Sequence, residues 1–450
     1  MVIENIQSLH RLFLQCGKVV TDSREIEGGE MFFALKGERF DGNAFAASAL
    51  EKGAAFAVVS DPVLEASDSG RFVLVGDTLK ALQDLARYHR SSLSVSSGHF
   101  RVLPVIALTG TNGKTTTKEL IRAVLSARYD VLATEGNLNN HIGVPLTLLR
   151  LAPRHDIAVI EMGASAPGEI AALARIALPN YGLITNVGKA HLAGFGSFEG
   201  VKRTKGELYD YLQRTADKAF VNADNPNLLE MTAARPDLSV IPYGLEYCGA
   251  SVLSSDAADP YLSIRLPGDG VVRTHLIGAY NADNVMAAIA VGKYFGIPEE
   301  EAAAAIEAYV PSNKRSQLEK RGGNTYILDT YNANPTSMSA ALDNLASMQA
   351  AKKAVMLGDM LELGEDSLRE HEAVVRKVAS LAPRYAFFVG KEFSSALADK
   401  DISALLDGAG IGFSVFQTSD ELASYLRSHP LADTLILVKG SRGMKMEKIL

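Results

Sequence analysis

The sequence predicts an α/β fold in three domains. A smaller α/β N-terminal domain precedes a central parallel-sheet domain of the phosphate-loop ATPase kind, and a Rossmann-like C-terminal domain follows. Three observations carry this. The chain has 450 residues, enough for three domains at roughly 150 residues each. Apolar runs of strand length alternate with amphipathic helical stretches along most of the sequence, the pattern of parallel sheets covered on both faces. One glycine-rich loop, residues 109–116, lies between such a strand and such a helix.

The N-terminal domain is expected over 1–98. Its strand-like runs are 31–35, 55–59 and 72–75, with helices over 43–52 and 78–90. The small, polar stretch 91–98 reads as a linker. The central domain, 99–311, opens with the buried run 102–109 and continues with strands at 157–160, 182–185 and 219–221. From 239 to 277 the texture alternates, as in 262–266 and 271–276, which predicts an antiparallel excursion. A helix over 281–295 follows, and Pro298 and Pro311 punctuate the boundary. In the C-terminal domain, 312–450, strands are expected at 326–328, 354–357, 386–389, 413–416 and 435–438. That is a second doubly wound unit, without a phosphate loop of its own.

Apolar residues make up 47% and charged residues 22%, which rules out a disordered chain, a collagen-like fibre and a coiled coil. The net charge is -7, from 45 basic and 52 acidic residues. A general nucleic-acid binder carries the opposite bias, so no nucleic acid is expected as a partner. Cys16 and Cys248 lack both a disulfide framework and metal-site spacing, and are expected as reduced thiols. No signal peptide is read at the start, and no apolar run reaches the roughly 18 residues of a membrane span. A cytoplasmic protein is expected.

Thr109-Gly-Thr-Asn-Gly-Lys-Thr-Thr116 is the strongest chemical signal. Glycines let successive backbone N–H groups turn toward phosphate oxygens at a helix N-terminus. Lys114 would neutralise the β- and γ-phosphates, and the Thr115 hydroxyl is placed for Mg²⁺. Leu108 stands at the first glycine position of the longer phosphate-loop pattern, so the motif is the shorter G-x-x-G-K-T. The loop residues Gly110, Thr111, Asn112, Gly113, Lys114, Thr115 and Thr116 are the candidate ATP contacts. Two further residues sit just beyond buried strands, where ligands bind in such sheets: Glu161 and His191. A carboxylate there suits Mg²⁺, a hard cation. The alternatives are a solvated strand-end glutamate and a core or surface histidine.

The loop resembles the ATP loop of the Mur ligases, a superfamily shared with folylpolyglutamate synthases. Several roles are what the resemblance implies. Glu161 and His191 match metal-binding positions, and Lys205 matches a lysine that reacts with CO₂ to give a carbamate holding a second Mg²⁺. Lys205 is otherwise read as part of a solvated basic helix face. Asn281 and Asn284 match two residues at the adenine edge, although Asn281 serves equally well as a helix cap. Arg315 matches an arginine that reaches ATP from the third domain, and Asp329, at the end of the first strand of that domain, is expected on the nucleotide with it when the domains close. Lys114, His191, Lys205 and Arg315 are the expected catalytic set, with ATP and two Mg²⁺ ions as cofactors.

Peripheral strings narrow the branch. Thr21-Asp-Ser-Arg24, Met31-Phe-Phe-Ala-Leu-Lys-Gly37 and Phe40-Asp-Gly-Asn-Ala-Phe45 resemble the uridine-diphosphate domain of the later Mur ligases. Tyr331-Asn-Ala-Asn-Pro335, Leu357-Gly-Asp-Met-Leu-Glu-Leu-Gly364 and Val438-Lys-Gly-Ser-Arg442 look like the branch that adds D-alanyl-D-alanine to a UDP-N-acetylmuramoyl-tripeptide. The substrate residues so implied are Ser23, Arg24, Lys36, Asn139, Asn140, His141, Asn332, Asn334, Lys439 and Ser441. For 139–141 a polar loop capping the next helix is the open alternative. The enzyme is expected to activate the peptide carboxylate as an acyl phosphate and to act as a monomer. The rival readings are a folylpolyglutamate synthase-like ligase and a nucleotide-binding regulator that ligates nothing.

Overall fold

The computed structural model describes residues 5–38, 40–65, 70–93, 102–253, 260–268, 270–311 and 317–450. The first unit is a sheet of four parallel strands, Val19–Val20, Met31–Phe33, Phe56–Val59 and Phe72–Leu74, side by side in chain order. Met31, Phe32 and Phe33 are all buried, because both sheet faces are covered. The helix expected over 43–52 is a 3₁₀ turn, Gly42–Phe45, leading into Ala46–Glu51. The helix Thr78–Ser92 starts where the Asp77 carboxylate accepts the Lys80 N–H at 2.9 Å, the usual satisfaction of an orphan first-turn donor. It runs into the expected linker, of which residues 94–98 lie outside the described residues.

That helix ties the first unit to the second. His89 Nε2 meets the Leu151 carbonyl at 2.9 Å, and its Nδ1 meets His10 Nε2 at 3.0 Å. The buried Arg90 guanidinium donates to the Asn180 side-chain oxygen at 3.0 Å. One apolar cluster runs from Leu9 and Phe13 through Leu82 and Leu85 to Leu148 and Leu173, so the two units share a core.

The central sheet has six parallel strands, in the order Ser239–Tyr243, Lys218–Asn222, Tyr181–Ile184, Val105–Thr109, Ile157–Glu161, Val131–Ala133. After Val105–Thr109 the chain builds one side of the sheet, then crosses to the other. This reversal opens a crevice at the carboxyl ends of the strands. Ser239–Tyr243 corrects the sequence reading: it is a parallel edge strand, not the start of the antiparallel excursion. Its alternation reflects exposure at the edge, where Pro242 removes no ladder bond that the sheet needs. The antiparallel part is a small sheet of Ser251–Val252, Tyr261–Arg265 and Val271–Ile277.

The third sheet is ordered Gln317–Arg321, Asn324–Asp329, Leu435–Lys439, Lys353–Gly358, Tyr385–Val389, Gly412–Phe416. All neighbours are parallel except the first pair, a hairpin that turns at Gly322 and Gly323. The polar edge strand Gln317–Arg321 and the three-residue Val131–Ala133 are absent from the sequence expectation. Among the described residues no helix is long and apolar enough to cross a membrane.

Candidate active site

The strand Val105–Thr109 hands over to the helix Lys114–Leu125 through the glycine-rich loop. Gly110 has φ 144° and Gly113 φ 78°. A Cβ on Gly110 would lie 2.0 Å from Thr185 Oγ1, and one on Gly113 2.5 Å from Asn284 Oδ1, so both positions exclude side chains by strain and by space. Asn186, at the end of the neighbouring strand, fixes the loop: its carbonyl accepts the Thr111 N–H and its side chain the Asn112 N–H, both at 3.0 Å. Thr117 is the first residue to bond back within the helix, to the Gly113 carbonyl at 2.8 Å. The preceding N–H groups lie in the turn that presents donors and positive dipole to an anion. The Lys114 ammonium folds over the loop, onto the carbonyls of Gly110 (2.8 Å) and Thr111 (3.0 Å).

Beside the loop, Glu161 ends its strand buried, at 2% exposure. Its carboxylate accepts the Thr115 hydroxyl at 3.0 Å and the Asn139 amide at 2.8 Å. Two cis ligands of an octahedral Mg²⁺ at roughly 2.1 Å lie about 3 Å apart, so Thr115 Oγ1 and Glu161 Oε2 fit adjacent positions on that ion. No three His, Cys, Asp or Glu side chains among the described residues form a cage by themselves. Mg²⁺ is satisfied by fewer protein ligands, since it retains water and substrate phosphate. Glu161 is held by a second layer that sequence reasoning missed. Its N–H donates to Thr134 Oγ1 at 2.9 Å, and the fully buried Lys118 ammonium donates to the Thr134 carbonyl at 2.5 Å. Only the buried face of the helix on which Lys118 falls signals this.

His191 lines the same cavity with φ 50°, its Nδ1 against the carboxylate of Glu362 from the third unit. Burial lowers its pKa, Lys114 and Lys205 add to that, and Glu362 opposes them. Lys205, on the helix Phe198–Thr215, is not on a solvated face: it is 2% exposed. Its Nζ donates to the carbonyl of the cavity residue Ala164 at 3.3 Å and lies 5.1 Å from the Phe195 ring centroid. Burial, reinforced by the Lys114 charge and opposed by Glu169 and Glu207, draws the amine down to about 7.

The cavity has a volume of about 670 Å³. Its walls include the loop residues Thr111 to Thr116, then Asn139, Asn140, His141, Glu161, His191, Asn281 and Asn284, and from the third unit Asp329, Asn332, Asn334 and Lys439. Asn281 and Asn284 are knit into the fold. Asn281 Nδ2 donates to the Ile277 carbonyl, Asn284 Nδ2 to Asn281 Oδ1, and the Thr117 hydroxyl to Asn284 Oδ1, at 2.8–2.9 Å. The Asn281 side chain makes no cap bond to its helix. Asn140 Oδ1 accepts the Ile142 and Gly143 N–H groups at 3.1 and 2.9 Å, in the turn that leads into the helix Gly143–Leu148. Asp329 and Lys439 sit opposite each other on adjacent parallel strands and pair at 2.5 Å.

Between the central and third units the contact is close. A Cβ on Gly188 would lie 2.7 Å from Thr336 Oγ1, the Lys189 N–H donates to that hydroxyl at 3.1 Å, and the Lys189 ammonium meets Glu370 at 2.6 Å. Ser441 lines a smaller adjoining cavity with His191, Asn332 and Glu362. Ser23, Arg24 and Lys36 line neither cavity: Arg24 is turned onto Asp22, whose carboxyl it holds down at about 2, and Lys36 faces Asp41 at 3.6 Å. Arg315 lies outside the described residues.

Comparison with known proteins bears on this geometry. The family model described as Mur ligase middle domain matches residues 108–292. The Mur ligase glutamate ligase domain matches 314–442, and the Mur ligase family catalytic domain 17–90. The chain is 36% identical over 436 residues to the UDP-N-acetylmuramoyl-tripeptide--D-alanyl-D-alanine ligase of Bacillus subtilis (strain 168), covering 96% of this chain and 92% of that one. It resembles the crystal structure of MurF from Acinetobacter baumannii with a TM-score of 0.83 at 32% identity, over 99% and 97% of the two chains. The MurF ligase of Thermotoga maritima, solved in complex with ADP, is similar with a TM-score of 0.80 at 25% identity, over 97% and 96%.

Proposed function

The chain belongs to the Mur ligase family, and we infer that its crevice is where ATP drives the joining of two substrates. It is an ATP-dependent ligase that adds D-alanyl-D-alanine to UDP-N-acetylmuramoyl-tripeptide in the synthesis of the peptidoglycan precursor. A free carboxylate is a poor acyl donor, because its leaving group would be oxide. Transfer of the γ-phosphoryl group of ATP to the terminal carboxylate gives an acyl phosphate and ADP. The amine of D-alanyl-D-alanine then adds to the carbonyl carbon, the tetrahedral intermediate collapses with loss of phosphate, and the nitrogen gives up a proton.

Such a reaction asks the protein for alignment and charge neutralisation. Lys114 and the loop N–H groups take the phosphates, Asn281 and Asn284 the nucleotide, and Arg315 a transferring oxygen through its planar guanidinium. Thr115 and Glu161 would hold one Mg²⁺, which supplies neutralisation of the phosphoryl charge. His191 and a carbamylated Lys205 would hold a second. The carbamate forms when the neutral Lys205 amine attacks CO₂ and releases a proton, and an amine near pH 7 in its titration supports that reading. Ser23, Arg24 and Lys36 address the uridine diphosphate, Asn139, Asn140 and His141 the muramyl end, and Asn332, Asn334, Lys439 and Ser441 the substrate at the third-unit wall, while Asp329 faces the nucleotide. In this reading the chain works as a monomer in the cytoplasm, where ATP and UDP-linked precursors are found.

One observation carries the assignment of roles: the Thr115 hydroxyl and the buried Glu161 carboxylate, 3.0 Å apart, at the foot of the phosphate loop. The test is coupled ADP release across a panel of UDP-peptides and dipeptides, with lysine or diaminopimelate third in the peptide. Release should require both UDP-tripeptide and D-alanyl-D-alanine. Release from ATP alone, or with a folate in place of the UDP-peptide, would overturn it.

A further inference from the structure

We propose that Glu362 is a positioning residue: reaching over from the third unit, it holds the His191 imidazole in one orientation and one tautomer. The proposal rests on the reading that His191 acts in the crevice. His191 Nδ1 lies against the Glu362 carboxylate, which has no other partner among the described residues. Seven described non-glycine residues have positive φ, and two of them, His191 at 50° and Glu362 at 64°, face each other here. Such backbone costs free energy and persists where the surroundings enforce it.

The surroundings do so. Met360 N–H donates to His371 Nε2 at 3.0 Å and Leu361 N–H to Ser441 Oγ at 2.9 Å, while the Ser441 N–H donates to the Asp359 carbonyl at 3.1 Å. Three successive residues of the loop are therefore tied down immediately before Glu362. The two loops are also joined directly, since the Ala193 N–H donates to the Glu362 carbonyl at 3.3 Å. The Glu362 side chain is itself exposed, so its position is set by the loop's fixation and not by burial.

Imidazole nitrogens are not equivalent. A carboxylate on Nδ1 places the proton there and leaves the Nε2 lone pair for the crevice. Because Glu362 and His191 belong to different units, the ring is set only when the third unit is docked. Docking of that unit and assembly of the site thus become one event.

Glu362→Gln keeps an acceptor of the same shape; Glu362→Ala removes it. In full-length enzyme the alanine variant should lose about 10–100-fold in kcat, with KM for ATP little changed, and the glutamine variant should retain most of the activity. Nitrogen-15 shifts of labelled imidazoles, assigned with His191→Ala, give a readout independent of turnover. His191 should carry its proton on Nδ1 in the wild type and Glu362→Gln, and shift toward the other tautomer in Glu362→Ala. A glutamine variant as impaired as the alanine variant, or an unchanged tautomer in Glu362→Ala, would overturn the proposal. Unchanged kcat in His191→Ala would instead overturn the crevice reading, and the tautomer would still decide what Glu362 does.

Discussion

The side-chain amides of Asn112 and Asn334 bond to each other in both directions, Asn334 Nδ2 to Asn112 Oδ1 at 2.8 Å and Asn112 Nδ2 to Asn334 Oδ1 at 3.4 Å. One residue belongs to the phosphate loop and the other to the third unit. Asn334 Oδ1 also accepts the Ser337 N–H at 2.9 Å and so caps the helix Pro335–Ser347. The two jobs separate by substitution. Asn334→Ser keeps a capping oxygen and loses the amide exchange; Asn334→Ala loses both, at a cost of about 1 kcal/mol. Both variants should ligate more slowly, and only the alanine variant should melt earlier in thermal unfolding.

Lys114→Ala should lower kcat by about 10²–10³-fold, or roughly 3–4 kcal/mol of transition-state stabilisation. The UDP substrate reaches the enzyme through other residues, so its affinity should hold. Titration calorimetry with the UDP-tripeptide checks this, and an equal loss of binding would contradict the role given to Lys114.

Lys205 is a cation whose folded-state pKa, about 7, lies below the ordinary 10.5. Between those values the unfolded chain binds more protons than the folded one, so stability rises with pH across the window. The burden is therefore complete below about pH 7 and relieved toward 10.5. In CO₂-free buffer Lys205→Met should be the more stable protein at pH 7, by a few kcal/mol, and the difference should shrink by pH 10. The same variant should fail to ligate. Denaturant midpoints at the two pH values, with an ADP-release assay, test both halves.

The first and second units meet at His10 and His89. Burial lowers both pKa values, and for His10 the neighbouring His89 lowers it further. The stability this pair contributes is present above about pH 6.5 and is lost as pH falls below it, because the unfolded imidazoles take up protons first. His89→Gln retains a donor for the Leu151 carbonyl and removes one titration. Its denaturant midpoint should therefore fall less steeply than that of the wild type between pH 7 and 5.

What the sequence made legible was local. The phosphate loop, Glu161 and His191 are each marked by a strand that ends and a residue that follows. The residues that hold them are marked by nothing in their own neighbourhood. Thr134, Asn186 and Glu362 act on partners 27, 74 and 171 positions away in the chain, counted from Glu161, Asn112 and His191. Lys205 shows the reverse error. In Lys202-Arg-Thr-Lys-Gly-Glu207 it reads as surface, yet it is buried with its ammonium against the Ala164 carbonyl and the Phe195 ring. Short or polar strands such as Val131–Ala133 and Gln317–Arg321 leave little trace in the sequence, since three residues or an exposed edge carry too little periodicity.

Gly188 and Thr336 meet with no space for one additional carbon. That seam runs along the rim of the nucleotide cavity, which Thr336 helps to line. A methyl group introduced there by Gly188→Ala would act as a wedge, propping the third unit off the loop that carries His191.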